Sequence, residues 1–366
     1  MINVLHIALD FNSNSGVTTY VTSLLRYFAR RPGYTMHFMT NGGNALHRLN
    51  TLPVSPVLIP MQRGVKNVFH LYPNFASVKA YCEKNDIHLI HTHHRYPEFI
   101  ASLVTCKSGV PTVTTAHSIV RGFRVLSFRS DKIIAVSNAV CESIVQRFGI
   151  DRSRIAVMHN AVEPFRPCPE GEVAEMKRTL GIPERHKVIL YLGRFDRIKG
   201  VQYLLNAYRR IRATQTDLTL LLVGGNASAI EKDEINHIVR VPAQDNTAVF
   251  YQISNLVVLP SEQDPFPYTM LEAGLAAKPF VGSRVGGIAE FIEEGMNGLL
   301  FTPRNEPELA QRILEILNDD SKAARLGWNL RRKVQSLPTS EQYGEKLEEL
   351  YERLLLERQR SVKSEK

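Results

Sequence analysis

The sequence predicts an α/β protein with two doubly wound parallel sheets in tandem. Apolar runs of strand length alternate with helix-forming segments along most of the 366 residues, and a chain of this length suits two domains. Residues 163–169 contain three prolines and separate two halves of similar pattern, as a linker does. We therefore expect an N-terminal domain over 1–163 and a C-terminal domain over 164–340. The remaining segment, 341–366, should hold an amphipathic helix that needs a partner surface.

Both halves show the alternation that places helices on the two faces of a parallel sheet. In the first half we predict strands at 2–9, 35–40, 87–92, 112–116, 132–136 and 155–159, with helices at 17–30, 75–84, 97–107 and 138–148. In the second half we predict strands at 187–192, 218–223, 256–259, 279–282 and 298–301, with helices at 201–212, 229–238 and 268–277. Ligands of such sheets bind beyond the carboxyl ends of the strands.

The excess positive charge lies in the first half. The net charge is +9, and residues 1–163 carry all of it, whereas acidic and basic residues balance over 164–366. A basic half can meet nucleic acid, an anionic membrane or a phosphorylated substrate. No known nucleic-acid-binding motif accompanies it, so we expect no nucleic-acid partner. Four cysteines without a close pair favour a reduced cytoplasmic protein, and no apolar run reaches the ~20 residues that span a bilayer.

Glycine and histidine residues follow predicted strands of the first half. The loop after the first strand ends at Gly16, where a phosphate could approach the backbone, although a tight turn would also need glycine. His91, His93 and His94 follow one strand, and His117 follows another. Because no acidic residue lies near the three clustered histidines, we expect pocket or core residues and no metal site. His117 fits a general base or a sugar contact, with a core role as the alternative.

Basic residues follow the first strand of the second half, in Gly193-Arg-Phe-Asp-Arg-Ile-Lys-Gly200. Arg194 can offer paired donors to a diphosphate, and Lys199 can offer a point charge. The alternative is a pair of solvated surface charges.

The stretch from Asp264 to Glu272 places two carboxylates around a predicted helix start. Pro267 suits the first helical position, which would leave the N–H groups of 268–270 to face a ligand. Since carboxylates accept hydrogen bonds from hydroxyl groups, we interpret the stretch as a binding segment for a nucleotide sugar.

Taken together, these motifs resemble one family. In the second half they are Gly193-Arg194 with Lys199-Gly200, Leu259-Pro-Ser261, Asp264 to Glu272 followed by Ala273, and Val285-Gly-Gly with Asn297-Gly-Leu299. In the first half they are Ser15-Gly16, His117, Val136-Ser-Asn138 and Met158-His-Asn160. The conjunction resembles the retaining glycosyltransferases of the GT-B fold, family 4, over nearly the whole chain.

The resemblance implies two Rossmann-like domains that face a cleft, with the final helix crossing back to the N-terminal domain. Arg194 and Lys199 would hold the donor diphosphate, Glu272 would accept hydrogen bonds from the ribose, and Gly16 would approach the phosphates.

The resemblance also implies the residues around the donor sugar. His117 would lie at the reacting centre, and Asp264 would hold the sugar, although glutamate is commoner in the family at that position. The backbone would assist at Phe266, Pro267, Tyr268 and Thr269. The segment Val239-Arg-Val-Pro242 lacks the glycine that the family usually has near the nucleotide base.

The implied reaction moves a sugar from a nucleoside diphosphate, UDP or GDP, to an acceptor hydroxyl with retention of the anomeric configuration. Positive side chains and oriented N–H groups would stabilise the leaving diphosphate, so neither a metal nor a cofactor beyond the donor is expected. The acceptor proton would pass to the leaving phosphate during attack on the front face.

The acceptor would sit on the basic N-terminal domain. Several arginines, a lysine and aromatic residues there would suit an anionic membrane surface or a lipid-linked glycan, with solubilising charge as the alternative. They are Arg63, Lys66, Arg121, Arg124, Arg129, Phe69, Phe123 and Phe128. The corresponding hypothesis is envelope polysaccharide or lipopolysaccharide synthesis at the inner face of the plasma membrane.

Three other functions stay open at this point. They are a GT-B nucleotide-sugar epimerase, a sugar-nucleotide-binding protein without activity and a nucleic-acid-binding protein.

Overall fold

The computed structural model of the chain describes residues 1–62, 67, 69–164, 166–225 and 237–364. These residues divide into two compact units. Unit 1 comprises Met1–Ala161 and Pro338–Lys366, and unit 2 comprises Val162–Leu337. Each unit contains one parallel sheet with helices between its strands, and the predicted fold class is confirmed.

Within the described residues, unit 1 holds seven parallel strands and five α-helices. The strands are β1 (Ile2–Ala8), β2 (Tyr34–Thr40), β3 (Pro56–Leu58), β4 (Leu89–Thr92), β5 (Thr112–Ala116), β6 (Lys132–Ala135) and β7 (Ile155–Val157). The helices are α1 (Gly16–Phe28), α2 (Leu71–Lys84), α3 (Arg95–Ser108), α4 (Asn138–Phe148) and α12 (Ser340–Ser364). The sheet has the order β3-β2-β1-β4-β5-β6-β7.

The described part of unit 2 contains six parallel strands. They are β8 (Lys187–Gly193), β9 (Leu218–Gly224), β10 (Ile238–Val241), β11 (Leu256–Leu259), β12 (Phe280–Ser283) and β13 (Leu299–Phe301), in the order β10-β9-β8-β11-β12-β13. The helices are α5 (Glu170–Thr179), α6 (Val201–Arg212), α7 (Ala248–Ile253), α8 (Tyr268–Leu275), α9 (Gly286–Phe291), α10 (Glu306–Leu317) and α11 (Asp320–Gln335). Every residue of β9 is buried, which explains its continuous apolar sequence.

In both sheets the strand order reverses at one point, and the loops on either side of it diverge there. In unit 1 the reversal lies between β1 and β4, which pair directly. In unit 2 it lies between β8 and β11. Open parallel sheets bind ligands beyond the carboxyl ends of the strands at such a point, so the loops after these four strands are where the candidate site should lie.

Helix α12 packs on α1 within unit 1. The side chains of Tyr343, Leu347, Tyr351 and Leu354 are buried, which accounts for the apolar stripe of the helix. At Gly344 a Cβ atom would lie 2.4 Å from the ring of Tyr27, so only glycine permits this approach.

The structure changes one predicted element and adds several short ones. Residues 229–236 of the predicted helix 229–238 lie outside the described residues, and Ile238 opens strand β10, so the predicted helix end is wrong. Helices α5, α7 and α9 and strands β3 and β10 were not predicted. Four of these five segments have six residues or fewer and give little periodicity.

Candidate donor and acceptor sites

The loop after β8 is shaped by Asp196. One of its carboxylate oxygens accepts a hydrogen bond from the Lys199 amide at 2.9 Å, and the other accepts from Arg194 Nε at 2.8 Å. Gly200 ends the turn at φ +69°, and a Cβ atom there would lie 2.0 Å from the Pro260 carbonyl oxygen. Glycine therefore lets the loop after β8 pack directly on the loop after β11.

This packing brings two predicted residues together across 65 positions of sequence. Lys199 Nζ lies 2.6 Å from Asp264 Oδ2, and the side chains are 21% and 2% exposed. Ser261 Oγ also donates to Asp264 Oδ2 at 3.1 Å. The carboxylate is therefore buried and paired, while the ammonium group keeps further N–H donors for a ligand.

Arg194 completes a cluster at the strand-order reversal of unit 2. It bonds Asp196 through Nε, and its terminal nitrogens carry four more N–H donors. Its side chain is 41% exposed. We call Arg194, Asp196, Lys199 and Asp264 the switch-point cluster. An anion that approached it would meet two cations held in place by two carboxylates.

The segment before α8 differs in detail from its prediction. Pro267 is extended, with φ −74° and ψ 133°, and the helix begins at Tyr268, so the expected position of Pro267 in the first turn is wrong. The Met270 amide donates to the Pro267 carbonyl at 3.2 Å and is not free for a ligand. Thr269 Oγ1 donates to the Leu192 carbonyl at 3.0 Å, which ties α8 to the end of β8.

Phe266 lies just before this helix and has a packing role. Its side chain is 1% exposed, and its ring packs edge-on against Phe291 at 5.5 Å. The side chain of Phe266 therefore belongs to the core, and the resemblance implies a ligand contact through its backbone.

Glu272 lies on α8 and is bonded to a residue that the sequence did not suggest. The hydroxyl group of Tyr251 donates to Glu272 Oε2 at 2.7 Å. Burial raises the pKa of Glu272, and the Tyr251 hydrogen bond opposes this effect. The second carboxylate oxygen remains available to accept from a hydroxyl group of a ligand.

Two functional candidates were missed in the sequence. Asp196 lies within the recognised Gly193–Gly200 segment, and a turn-capping aspartate three residues before Lys199 is a signal that could have been read. Tyr251 offered none, since it lies 21 positions before Glu272 and only the fold brings the two together.

In unit 1 the loop after β1 leads into α1 at Gly16. Gly16 is the first residue of that helix and follows Ser15, which is extended. It is not among the described glycines with positive φ, so the alternative of a strained tight turn is not supported.

A chain of three histidines crosses the strand-order reversal of unit 1. His6 Nδ1 lies 3.1 Å from His93 Nε2, and His93 Nδ1 lies 3.4 Å from His117 Nε2. His6 and His93 are buried, and the ring of Tyr20 packs edge-on against His117 at 4.6 Å. His117 is thus held from two sides at the carboxyl end of β5.

Burial keeps these rings neutral. Burial lowers the pKa of His6 to about 3 and, with a further contribution from His94, lowers the pKa of His117 to about 3. Burial also holds the pKa of His91 and His93 well below the usual value of 6.5. A histidine with so low a pKa is a weak base at neutral pH, so His117 is better suited to a neutral hydrogen bond than to proton abstraction.

Three buried histidines approach one another closely enough to be considered as metal ligands. Ring nitrogens of His6, His91 and His93 lie within 4.8 Å of one another. However, His91 Nδ1 lies 2.5 Å from the Tyr351 hydroxyl, and His91 Nε2 lies 2.7 Å from Thr115 Oγ1. Both nitrogens of His93 face other histidines. Five of the six ring nitrogens therefore have partners within the described residues, and His6 Nε2 has none. A metal ion would have to displace these partners, so the group fits a metal site poorly.

A cavity of about 560 Å³ opens beside His117 in unit 1. Its walls come from the ends of β4 and β5, the start of α3 and the segment 118–128. A wider groove of about 900 Å³ lies at the amino ends of β8 and β11 in unit 2, and none of the predicted site residues lines it.

The fold and the matching family models define a class of protein. Two parallel α/β units, one with paired cations and carboxylates at its strand-order reversal, suit a ligand with an anionic group. The model of the glycosyl transferases group 1 matches residues 172–333, and that of glycosyltransferase family 4 matches residues 14–166. The chain belongs to the group 1, family 4 glycosyltransferases, as the sequence motifs predicted.

Two relatives with named activities have low sequence identity to this chain, but the matches cover most of both chains. The N-acetyl-alpha-D-glucosaminyl L-malate synthase of Bacillus anthracis is 24% identical, over 90% of this chain and 92% of that protein. The D-inositol 3-phosphate glycosyltransferase 1 of Catenulispora acidiphila is 25% identical, over 66% of each.

Among solved structures, Anabaena HepE in complex with UDP and glucose superposes with a TM-score of 0.84. It is 19% identical and the match covers 96% of this chain and 99% of that chain. The likeness confirms the GT-B fold. Among the described helices, none is both long and apolar enough to cross a bilayer.

Proposed function

We propose that this glycosyltransferase moves a sugar from a UDP- or GDP-linked donor to an acceptor hydroxyl group with retention of configuration. Unit 2 would bind the donor. Arg194 and Lys199 would take the diphosphate, Glu272 the ribose, and Asp264 the sugar, with backbone groups near Tyr268.

The observation that carries this proposal is the switch-point cluster. Lys199 and Arg194 are fixed by Asp264 and Asp196, so their positions exist before a ligand binds. Cations that are already in place stabilise charge on a leaving diphosphate at little reorganisation cost. Such a site needs no metal to neutralise the leaving group.

Given retention, three carboxylates of unit 2 favour attack on the front face over a covalent sugar–enzyme intermediate. Asp264 is bonded to Lys199 and Ser261, Asp196 to Arg194 and the Lys199 amide, and Glu272 to Tyr251. Carboxylates engaged in this way are poorly placed to act as nucleophiles. The leaving phosphate would then take the proton of the acceptor hydroxyl.

The test is turnover with a chelator present. UDP-glucose, UDP-N-acetylglucosamine and GDP-mannose would each be incubated with the native chain and candidate acceptor alcohols, and diphosphate release and the anomeric proton signals followed by NMR. We expect one donor to be consumed with an α-linked product, and Lys199→Ala to lose about 100-fold or more in rate. The control is Lys187→Ala, at the amino end of β8.

Each alternative has its own outcome in this experiment. A β-linked product would contradict retention, and activity restored only by a divalent cation would contradict metal independence. Conversion of the donor into another sugar nucleotide would identify an epimerase. Donor binding without turnover in the presence of candidate acceptors would identify a binding protein.

For the cellular role we propose envelope polysaccharide or lipopolysaccharide synthesis, with the basic unit 1 at the cytoplasmic face of a membrane. Arg121 and Arg129 are exposed, and Phe69 and Phe123 are 84% and 68% exposed. Phe128 is buried, so its predicted place on that surface is wrong. Arg63 and Lys66 lie outside the described residues.

Flotation with vesicles tests this role. We expect the chain to float with vesicles that contain phosphatidylglycerol at low salt and to be released by about 0.5 M NaCl, because exposed charges are screened. Absence from the floated fraction at low salt would contradict a membrane role.

A further inference from the structure

The cavity beside His117 has mostly apolar walls. Leu9, Val17, Leu71, Phe99, Val120 and Leu126 line it, and they come from five separate segments of unit 1. The volume of about 560 Å³ is in the range of a small-molecule site. Its surface is therefore made by the fold as a whole and does not belong to a single loop.

The charged groups in the cavity walls are already engaged with the protein. Arg95 donates to Ser127 Oγ at 3.0 Å from Nε and to the carbonyl oxygens of Arg121 and Gly122 at 3.1 and 2.6 Å. Glu98 accepts from the amides of Phe128 and Ser130 at 3.0 and 2.9 Å. A hydroxyl group would find hydrogen-bond partners beside polar wall residues such as His117, whereas the apolar part of the wall suits a hydrocarbon chain.

The mouth of the cavity is apolar and basic at once. Leu126, in its wall, is 42% exposed, and the neighbouring Phe123 and Val125 are 68% and 81% exposed. Two exposed arginines, at 121 and 129, flank this segment in the sequence. A ligand with a hydrocarbon chain and an anionic group near one end would complement both features.

We propose that this cavity binds the hydrocarbon chain of the acceptor, and that the acceptor is a lipid with a phosphate group near its hydroxyl end. The inference rests on the proposed transferase function, because it places the acceptor beside His117. It adds the chemical class of the acceptor and the segment that recognises it, residues 118–128.

The test is calorimetric titration of the full chain with butyl, hexyl, octyl and decyl phosphate below their micelle concentrations. We expect the dissociation constant to fall about fourfold for each added methylene group until the cavity is full. Octanol should bind more weakly than octyl phosphate, because it lacks the anionic group.

Two variants locate the binding. Leu126→Asp places a carboxylate in the wall, and Val120→Trp fills the cavity; both should abolish the dependence on chain length. The matched control is Leu356→Asp on α12, where the leucine is 54% exposed and does not line the cavity. Phe123→Ser, at an exposed position, should weaken the binding of octyl phosphate severalfold. This variant tests the mouth of the cavity even if a variant of the wall fails to fold.

Binding that does not depend on chain length, or that is the same in Leu126→Asp and Leu356→Asp, would overturn the proposal. Nucleoside diphosphate binding is measured on the same samples. If the diphosphates bind and alkyl phosphates do not, the acceptor class is wrong and the transferase proposal stands. If no diphosphate binds, the transferase proposal itself fails.

Discussion

The two units share a parallel-sheet topology but carry different side chains at the carboxyl ends of their strands. In unit 2 the loops after β8 and β11 carry permanent charges, paired as Lys199 with Asp264 and Arg194 with Asp196. In unit 1 the corresponding region carries neutral histidines and an apolar cavity. The charged end suits a diphosphate, and the neutral end suits an acceptor that must lose water before it reacts. A fold that is repeated therefore need not repeat its chemistry.

The largest expected effect concerns the neutral histidines of unit 1. His6 and His117 have pKa values of about 3 in the folded chain and near 6.5 when unfolded. Between these values the unfolded chain binds more protons, so stability falls as the pH falls through 6.5. From pH 7 to pH 5 the loss is about 2 kcal/mol for each ring, or about 4 kcal/mol for these two. His91 and His93 add to the loss, because burial also lowers the pKa of each well below 6.5.

Urea unfolding at pH 5, 6, 7 and 8 measures this loss, and hydrogen exchange assigns it to a unit. His6→Leu should remove about 2 kcal/mol of the pH dependence. Equal acid sensitivity of amides in β8 and β1 would show that the histidines do not distinguish the two units.

The second effect concerns the buried ion pair of unit 2. Lys199→Met leaves the Asp264 carboxylate, 2% exposed, without its cation, and should cost about 3 kcal/mol of unfolding free energy. Lys187 pairs with Asp320 at 2.7 Å on the surface, so Lys187→Met should cost less than about 1 kcal/mol. Chemical denaturation of both variants at pH 7 provides the measurement.

A double variant sharpens this result. In Lys199→Met with Asp264→Asn most of the lost stability should return, because the unpaired charge is gone. If the double variant is as unstable as the single one, then packing around Lys199 accounts for the loss and the ion pair does not.

The smallest effect compares one tyrosine hydroxyl group from each unit. Tyr251 bonds a carboxylate, Glu272, at 2.7 Å, and Tyr343 lies 2.6 Å from the neutral hydroxyl of Tyr20. Tyr251→Phe should therefore cost about 2 kcal/mol and Tyr343→Phe about 1 kcal/mol. Only Tyr251→Phe should also weaken the binding of UDP, because Glu272 loses the hydrogen bond that orients it. Calorimetric titration with UDP measures this effect, and an equal loss of affinity in both variants would contradict the distinction.

The sequence predicted the strands and loops that form the site better than the contacts between its side chains. Strands β8 and β11 were visible as apolar runs, and the motifs around Arg194 and Asp264 led to the correct family. The contact between Lys199 and Asp264 spans 65 positions, and no local pattern encodes it. Tyr251 and the His6–His93–His117 chain were invisible for the same reason, because each depends on strand order. Pro267 was misplaced by one position, since proline is compatible both with the first turn and with the residue before it.

The most direct test of the central claim, that the switch-point cluster binds a diphosphate, is thermal unfolding with a chelator present. The native chain, Arg194→Ala and the control Arg185→Ala, whose arginine is 77% exposed at the other end of β8, would be compared with UDP, GDP, ADP, TDP and CDP. At a hundred times its dissociation constant one diphosphate should stabilise the native chain and the control by about 2.7 kcal/mol, and Arg194→Ala much less. A shift that survives in Arg194→Ala, or no shift with any of the five, would contradict the claim.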